Sequence, residues 1–195
     1  MKQRILITIG VICVLAGILL GYPTLQQYWQ GRNLNSTVAS GIVYADKPVT
    51  PSDQPTVMGT PNRLVIKSLA IDLTVVGGQY YANSKTWELS GDKAHFAELS
   101  VSSNNKTGNT LIYGHNNKQV FYRLNQIKPG AEVSVFTDNG KEFRYSYNTA
   151  VETSPNDSSV FNYKGPAMLT LQTCSGLWYQ NRQLFAFDFV EVRDA

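Results

Sequence analysis

The stretch AMLTLQTCSG, residues 167–176, combines a strand pattern with a single cysteine at its end. Residues 167–173 are mostly apolar or β-branched, which is typical of a β-strand, and Ser175-Gly176 predicts a turn. Cys174 is therefore expected at a strand end, where the sheet holds the thiol and the loop leaves it accessible. A nucleophile needs this combination of rigidity and access. From these residues alone, a buried structural thiol is the alternative interpretation of Cys174.

Two other reactive side chains are also predicted at strand ends. His115 follows the apolar run 109–113, and Arg182 begins the strand that comes after Cys174. In a barrel, the ends of three strands can share one rim, so the three groups can lie together. A free cysteine is only slightly ionised at neutral pH and needs a base or a positive neighbour. The residues alone leave open a surface or capping imidazole for His115 and a solvated charge for Arg182.

The chain from Asn62 onward has the pattern of a β protein. The predicted strands are 63–69, 71–76, 109–113, 132–137, 142–151, 167–173 and 184–192. Gly77-Gly78 is predicted to end the second strand, and Asp138-Asn139-Gly140 predicts a tight hairpin turn. The last strand is apolar on both faces apart from two acidic residues, which indicates neighbours on both sides. With one short helix predicted at 120–126, seven or eight strands predict a closed or nearly closed barrel.

Three segments resemble the sortase family. The run from Leu169 to Cys174 is similar to the TLxTC signature in which the family's nucleophile lies, and an arginine on the next strand follows it. The segment 113–116, Tyr-Gly-His-Asn, resembles the family's GH segment, and FYRLNQIKPG at 121–130 resembles the helix and turn after it. The resemblance runs from about Asn62 to Val192. It implies a mainly β fold, a closed eight-stranded sortase-like barrel with one or two short helices, over residues 62–195.

The resemblance also implies the role of each site residue. Cys174 attacks a peptide carbonyl in a C-terminal sorting motif, commonly LPxTG-like in this family, of a secreted surface protein. Arg182 donates hydrogen bonds to the oxyanion, which suits its forked and permanently charged guanidinium. His115 protonates the departing amine and later deprotonates the incoming one. The implied acceptor is an amine of a cell-wall precursor or of a pilin lysine.

The remaining candidate residues receive lesser roles. His95, in Ala94-His95-Phe96, is interpreted as structural or supporting, whereas His115 has the better setting for a base. The loop between Cys174 and Arg182 is short, and its Trp178 and Tyr179 either form part of a motif pocket or pack against the barrel. No cofactor or metal is expected, because the two histidines and two cysteines form no ligand pairs. Acidic residues are also too scattered to predict the calcium site that some sortases have.

The N-terminus predicts a membrane anchor. Lys2 and Arg4 precede an uncharged apolar run, and residues 5–25 are long enough to span a bilayer. Basic residues before the span favour a cytoplasmic segment 1–4 and place an extracellular linker, 26–61, and the catalytic domain outside the cell. A cleaved signal peptide is the alternative, although the large residues after the run do not resemble a cleavage site. Cys13 lies within the run and is interpreted as an apolar helix side chain.

Composition narrows the function classes. The chain has 195 residues, of which 43% are hydrophobic, and a formal net charge of only +3. This composition suits one globular domain with additional sequence. The sequence has no cluster of basic residues of the kind that binding to nucleic acid requires. Three other functions remain to be weighed against a transpeptidase. They are a cysteine protease that hydrolyses the same intermediate, a non-catalytic membrane-tethered adhesion or scaffold domain, and a family member without activity.

Overall fold

The computed structural model describes residues 55–84 and 86–195. The predicted cytoplasmic segment 1–4, the transmembrane helix 5–25 with Cys13, and most of the linker 26–61 lie outside these residues. Within the described part, no helix has the length and apolarity that crossing a membrane requires. The predicted domain boundaries remain predictions.

Strands account for most of the described chain. They are β1 (Met58–Gly59), β2 (Pro61–Ile66), β3 (Ile71–Gly78), β4 (Tyr80–Tyr81), β5 (Thr86–Trp87), β6 (Ala94–Ala97), β7 (Ser103–Asn104), β8 (Asn109–Tyr113), β9 (Glu132–Thr137), β10 (Lys141–Thr153), β11 (Met168–Ser175) and β12 (Asn181–Asp194). One short α-helix, α1 (Ser159–Asn162), and two 3₁₀ turns, Lys67–Leu69 and Tyr122–Gln126, complete the regular structure.

Eight of these strands close into a barrel in the order β10-β12-β11-β8-β6-β3-β2-β9. Most neighbours are antiparallel, but β3 with β6 and β8 with β11 are parallel pairs. The mainly β fold with a closed eight-stranded barrel and a short helix is confirmed. As predicted, the last strand, β12, has a neighbour on each side, namely β10 and β11.

The barrel interior is a packed apolar core. The largest fully buried side chains come from facing strands and from the turn after β8, and they include Tyr145, Phe121, Phe143, Phe185 and Phe187. Burying one such aromatic side chain contributes about 1.5–3 kcal/mol, so this core is the main source of the fold's stability. Burial also raises the pKa of Tyr145 to about 12, because the phenolate would lose its hydration. This core holds the barrel rigid beneath the strand ends.

The second predicted strand is longer than expected, because its two glycines belong to it. Gly77 and Gly78 extend β3 and pair with Phe96 and Ala97 of β6. A Cβ atom on Gly78 would collide with the Tyr113 hydroxyl, and one on Gly77 would collide with the Glu98 carboxylate. These glycines therefore allow close approach and do not mark a turn.

Two predicted elements change type at one end. The strand predicted at 63–69 ends at Ile66, where a 3₁₀ turn begins, and Ala70 then adopts a left-handed conformation with φ of 48°. The helix predicted at 120–126 is a 3₁₀ turn that begins at Tyr122.

The strand predicted at 142–151 does not alternate along its whole length. The pairing of β10 with β12 shifts between Tyr147 and Thr149, so Asn148 is an extra residue in a β-bulge. Beyond it, Ala150 packs against the main core, while Val151 packs on a separate cluster around Tyr163. After the bulge, Ala150 and not Val151 therefore continues the core face of Phe143.

Candidate active site

Cys174 and Arg182 are direct partners across the antiparallel pair of β11 and β12. The preceding partners, Thr173 and Gln183, are buried, whereas Cys174 and Arg182 are half-buried. Side chains of directly opposite residues lie on one face of a sheet, with Cβ atoms about 4.5–5.5 Å apart. The pair therefore stands at the end of the buried ladder, with the backbone fixed and the side chains open to the rim. Cys174 is a free cysteine.

His115 follows the strand on the other side of Cys174. β8 runs parallel to β11, and their last paired residues are Tyr113 and Gln172. Gly114 N–H then donates to the Gln172 carbonyl at 3.0 Å. Two residues further on, the Asn116 side chain donates to the Cys174 carbonyl at 3.0 Å, so His115 lies next to a residue that contacts the Cys174 backbone. The structure thus brings all three predicted site residues to the ends of neighbouring strands at one rim.

The segment that carries His115 is tied to the segment that carries Cys174. Thr173 Oγ1 donates to the Gly114 carbonyl, and Asn116 Nδ2 donates to the Cys174 carbonyl, both at 3.0 Å. A glycine is required at position 114 because Val120 packs closely against it: a Cβ atom there would lie 2.7 Å from Val120 Cγ1. On the far side of His115, its carbonyl accepts a hydrogen bond from Phe121 N–H at 3.1 Å. The backbone on both sides of the imidazole is thus held in place.

The Arg182 guanidinium is held by the loop that joins β11 to β12. Nη1 donates to the carbonyls of Tyr179 and Asn181, at 3.2 and 3.1 Å. Tyr179 presents its carbonyl from a left-handed backbone with φ of 56°, which is uncommon for a residue with a side chain. A guanidinium has five N–H donors, and within the described residues Nε and Nη2 form no hydrogen bond. Those N–H groups remain available to donate hydrogen bonds to an anionic group.

The aromatic side chains of this loop project into solvent. Trp178 is 82% exposed and Tyr179 is 60% exposed, so neither packs against the barrel. Leu177 beside them is also exposed. The packing interpretation of Trp178 and Tyr179 is therefore wrong, and both side chains are free to contact a ligand at the rim.

His95 lies in β6 opposite Tyr113, the last residue of β8, and is almost completely buried. Its Nε2 accepts a hydrogen bond from Ser90 N–H at 2.9 Å, and its buried Nδ1 has no hydrogen-bond partner within the described residues. The ring stacks on Tyr113, whose hydroxyl donates to the Glu88 carbonyl at 2.7 Å. Burial, together with the charge of Glu88, raises the pKa of Tyr113. His95 thus fastens the 88–90 segment to the barrel, as expected of a structural residue.

A charged groove lies among other strands. Its volume is about 440 Å³, and its lining comes from β2, β9, β10, β12 and the chain beside them; none of its residues is a predicted site residue. The buried Glu142 accepts hydrogen bonds from Ser134 Oγ at 2.7 Å and Arg193 Nε at 2.8 Å. Arg144 bridges Glu132 and Glu191. In residues 55–84 and 86–195, no three metal-ligating side chains converge.

Sequence reasoning missed two contributors to this arrangement. The side-chain bond of Asn116 to Cys174 depends on the register of β8 and β11, which no local pattern reveals. Its polar position directly after His115 was the available signal. The left-handed Tyr179 could not be found either, because its residue type does not favour that conformation.

Comparisons with known proteins identify the family. The family profile described as Sortase domain matches residues 64–186, a range that includes His115, Cys174 and Arg182. No curated protein sequence matches the chain closely enough to count as a relative.

Similar solved structures include sortase A of Listeria monocytogenes, with 17% identity and a TM-score of 0.56 over 70% of this chain and 91% of that one. The SrtA sortase of Actinomyces oris has 18% identity and a TM-score of 0.56 over 77% and 89%. A sortase D5 transpeptidase of Clostridium perfringens has 19% identity and a TM-score of 0.53 over 68% and 79%. These likenesses extend the agreement in fold to most of the described chain. With a family match over more than half of its length, a closed eight-stranded barrel and a free cysteine at a strand end, the chain belongs to the sortases, a family of cysteine transpeptidases.

Proposed function

We propose that this protein is a membrane-anchored sortase that cleaves a C-terminal sorting motif of secreted proteins and transfers them to an amine through Cys174, His115 and Arg182. The main support for this proposal is the pairing of Cys174 with Arg182 at the barrel rim. The neighbouring strand β8 ends at the same rim, two residues before His115. A nucleophile, a proton carrier and a fixed cation at one site are the groups that acyl transfer needs.

In the first half of the reaction, the Cys174 thiolate attacks the carbonyl carbon of the scissile peptide bond. A carbon–sulfur bond forms, and the carbonyl oxygen becomes an oxyanion that accepts hydrogen bonds from the free N–H groups of Arg182. The carbon–nitrogen bond then breaks, and the protonated imidazole of His115 gives its proton to the leaving amine. The product is a thioester on Cys174 and a neutral His115.

In the second half, an amine enters the position that the leaving group vacated. Neutral His115 takes a proton from this amine as its nitrogen attacks the thioester carbonyl. The new carbon–nitrogen bond forms, the carbon–sulfur bond breaks, and Cys174 leaves as thiolate. The starting protonation states of Cys174 and His115 are thereby restored.

The proposed substrate is a peptide with an LPxTG-like sorting motif. The exposed Trp178 and Tyr179 beside Arg182 offer aromatic contact to the apolar side chains of such a motif. The proposed acceptor is an amine of a cell-wall precursor or of a pilin lysine. The apolar run at 5–25 supports a single-pass anchor with the catalytic domain outside the cell.

The decisive test incubates the full-length chain with a fluorescent LPxTG-type peptide, with and without an added amine. Mass spectrometry of the protein and of the released peptide follows both half-reactions. We expect a thioester adduct on Cys174 in both samples and a new amide product only with the amine. A library of related motif peptides in the same assay identifies the preferred motif.

Two other results of this experiment would replace the proposal. Cleavage at an equal rate with and without amine, with only the free acid as product, would indicate a hydrolytic cysteine protease. No adduct with any peptide, together with a thiol that iodoacetamide modifies only after unfolding, would indicate a non-catalytic scaffold domain.

A further inference from the structure

The backbone ladder between β8 and β11 ends one rung before the proposed catalytic residues. Gly114 N–H donates to the Gln172 carbonyl, and this is the last main-chain bond between the two segments in the described chain. In a parallel pair, bonds from one strand to the other recur every two residues. The next bond donated from the β8 side would therefore join the N–H of residue 116 to the carbonyl of residue 174.

The Asn116 side chain supplies that missing rung. Its Nδ2 donates to the Cys174 carbonyl at 3.0 Å, which equals the distance of the main-chain bond before it. The main chain itself turns away from β11 at this point, as the hydrogen bond from Phe121 N–H to the His115 carbonyl indicates. The side-chain amide thus continues the sheet by one step while the backbone is free to turn and present His115.

This bond has an evident cost. Asn116 Oδ1 is buried and has no hydrogen-bond partner in the described part of the chain. A buried acceptor without a partner destabilises the folded state. Rotating the amide by 180° would give Oδ1 no relief, because it would then face the Cys174 carbonyl, another acceptor. The orientation of the amide is therefore fixed by its bond to Cys174.

We infer that Asn116 is a positioning residue, which keeps the Cys174 thiol in register with the His115 imidazole. This inference rests on the proposed function, because the register matters only if Cys174 and His115 react together. The side-chain bond of Asn116 goes to the carbonyl of Cys174 and not to the thiol, so Asn116 acts through the backbone of the nucleophile. Its loss should weaken the chemical steps while leaving peptide binding nearly unchanged.

The test compares Asn116→Ala and Asn116→Asp with the wild type in the full-length chain. Alanine removes the donor, and aspartate keeps the shape but presents only acceptors when it is ionised. We expect kcat for transfer to fall about 10- to 100-fold in both at neutral pH, with KM within about twofold, as misplacement of reacting groups predicts. Asn148→Ala is the matched control, because Asn148 Nδ2 also makes a side-chain bond, to Asp188, but on the exposed surface of β10. The control should keep wild-type kinetics.

The pH dependence of the aspartate variant tests whether the lost donor causes the deficit. Burial against a carbonyl raises the pKa of a carboxyl group, and a protonated carboxyl can again donate to Cys174. The deficit of Asn116→Asp relative to wild type should therefore narrow as the pH is lowered toward 5, whereas that of Asn116→Ala should not. A purely structural role would lower the melting temperature of both variants but leave kcat of the folded protein unchanged.

Alkylation of Cys174 by iodoacetamide provides a readout that does not require transfer. We expect Asn116→Ala to react about three- to tenfold more slowly than wild type at neutral pH, since a displaced thiolate loses its cationic neighbours. A folded Asn116→Ala with wild-type kcat and alkylation rate would overturn the inference, as would an aspartate deficit that does not depend on pH. If wild type makes no thioester with any peptide, the proposed function fails, and the alkylation rates alone then decide on Asn116.

Discussion

Cys174 and Arg182 stand opposite each other as the penultimate pair of the β11–β12 ladder, with Ser175 and Asn181 as the final pair. The sheet register therefore sets their separation, and the loop between them does not. The loop instead controls the guanidinium, through the carbonyls of Tyr179 and Asn181. The sheet thus fixes the backbone positions of both residues, and the loop sets the direction of the Arg182 side chain.

Arg182→Ala is expected to keep the fold and to slow transfer by roughly 100- to 1000-fold, the loss typical of removing an oxyanion donor. The effect should fall mainly on kcat, because the proposed bond from Arg182 to the oxyanion would exist only in the transition state. Steady-state kinetics with a motif peptide measures it. Arg182→Lys keeps the charge without the fork and should recover only part of the rate. A normal rate in the alanine variant would remove Arg182 from the mechanism.

Cys174→Ala should abolish both the covalent adduct and the amide product, since no other described residue is a cysteine. Intact-mass spectrometry after incubation with peptide should show the unmodified protein only. Because the side chain is half-buried at the rim, the melting temperature should change little. Residual product from this variant would mean that another group is the nucleophile.

The two histidines should respond differently to replacement by glutamine. His115→Gln removes the proposed proton carrier and should cost about 100- to 10,000-fold in kcat. His95→Gln removes a buried acceptor from Ser90 N–H and should mainly lower the melting temperature. Kinetics and thermal melts of both variants test the difference. Equal losses of activity at equal stability would show that the assignment of the base is wrong.

Glu142 should make folding stability depend on pH. Its bond to Arg193 holds the pKa of this carboxyl below the ordinary value of 4.5. Its stabilisation is therefore complete above that value and is lost as the pH falls through the lowered pKa. Glu142→Gln should reduce the free energy of unfolding by about 1–3 kcal/mol at pH 7, and the difference from wild type should shrink toward pH 3.

Urea unfolding of wild type and Glu142→Gln across this pH range measures the effect. The exposed pair of Arg63 and Asp72 is the control, because Asp72→Asn should change stability far less. A constant difference between wild type and Glu142→Gln at every pH would show that the carboxylate charge is not the cause.

Gly78 offers a test of the close packing beneath the site. Gly78→Ala places a methyl group against the Tyr113 hydroxyl, so the backbone of β3 or the Tyr113 ring must move. We expect a loss of about 1–3 kcal/mol in the free energy of unfolding, as for other overpacked sites. Gly91→Ala is the matched control, since nothing lies within 4 Å of a Cβ atom there. Similar stabilities for the two variants would contradict this account.

Much of the barrel could be predicted because its long strands carry their own pattern. The apolar run of β8, the hairpin between β9 and β10, and the strand before Cys174 are local signals, and each was found. β6 was not found as a strand, because it has only four residues and all of them are buried. Such a segment is extended because of its neighbours β3 and β8, which a local pattern does not reveal.

The proposed site could be predicted from the sequence only to the level of residue types and strand ends. Cys174, His115 and Arg182 each have a local context that marks them, but the partners that hold them do not. The bond of Asn116 to Cys174 joins residues 58 apart in sequence. The bulge at Asn148 likewise arises from a mismatch between two strands and not from the composition of either one.

Closure of the barrel constrains how a peptide can be recognised. In the described chain, each of the eight barrel strands has a barrel neighbour on both sides, so the barrel has no edge strand to which an extended peptide could add along its length. Selectivity for one peptide over another must then come from side chains and turns around the mouth. Exchanging the residues of those turns should alter the preferred peptide without changing the fold of the barrel.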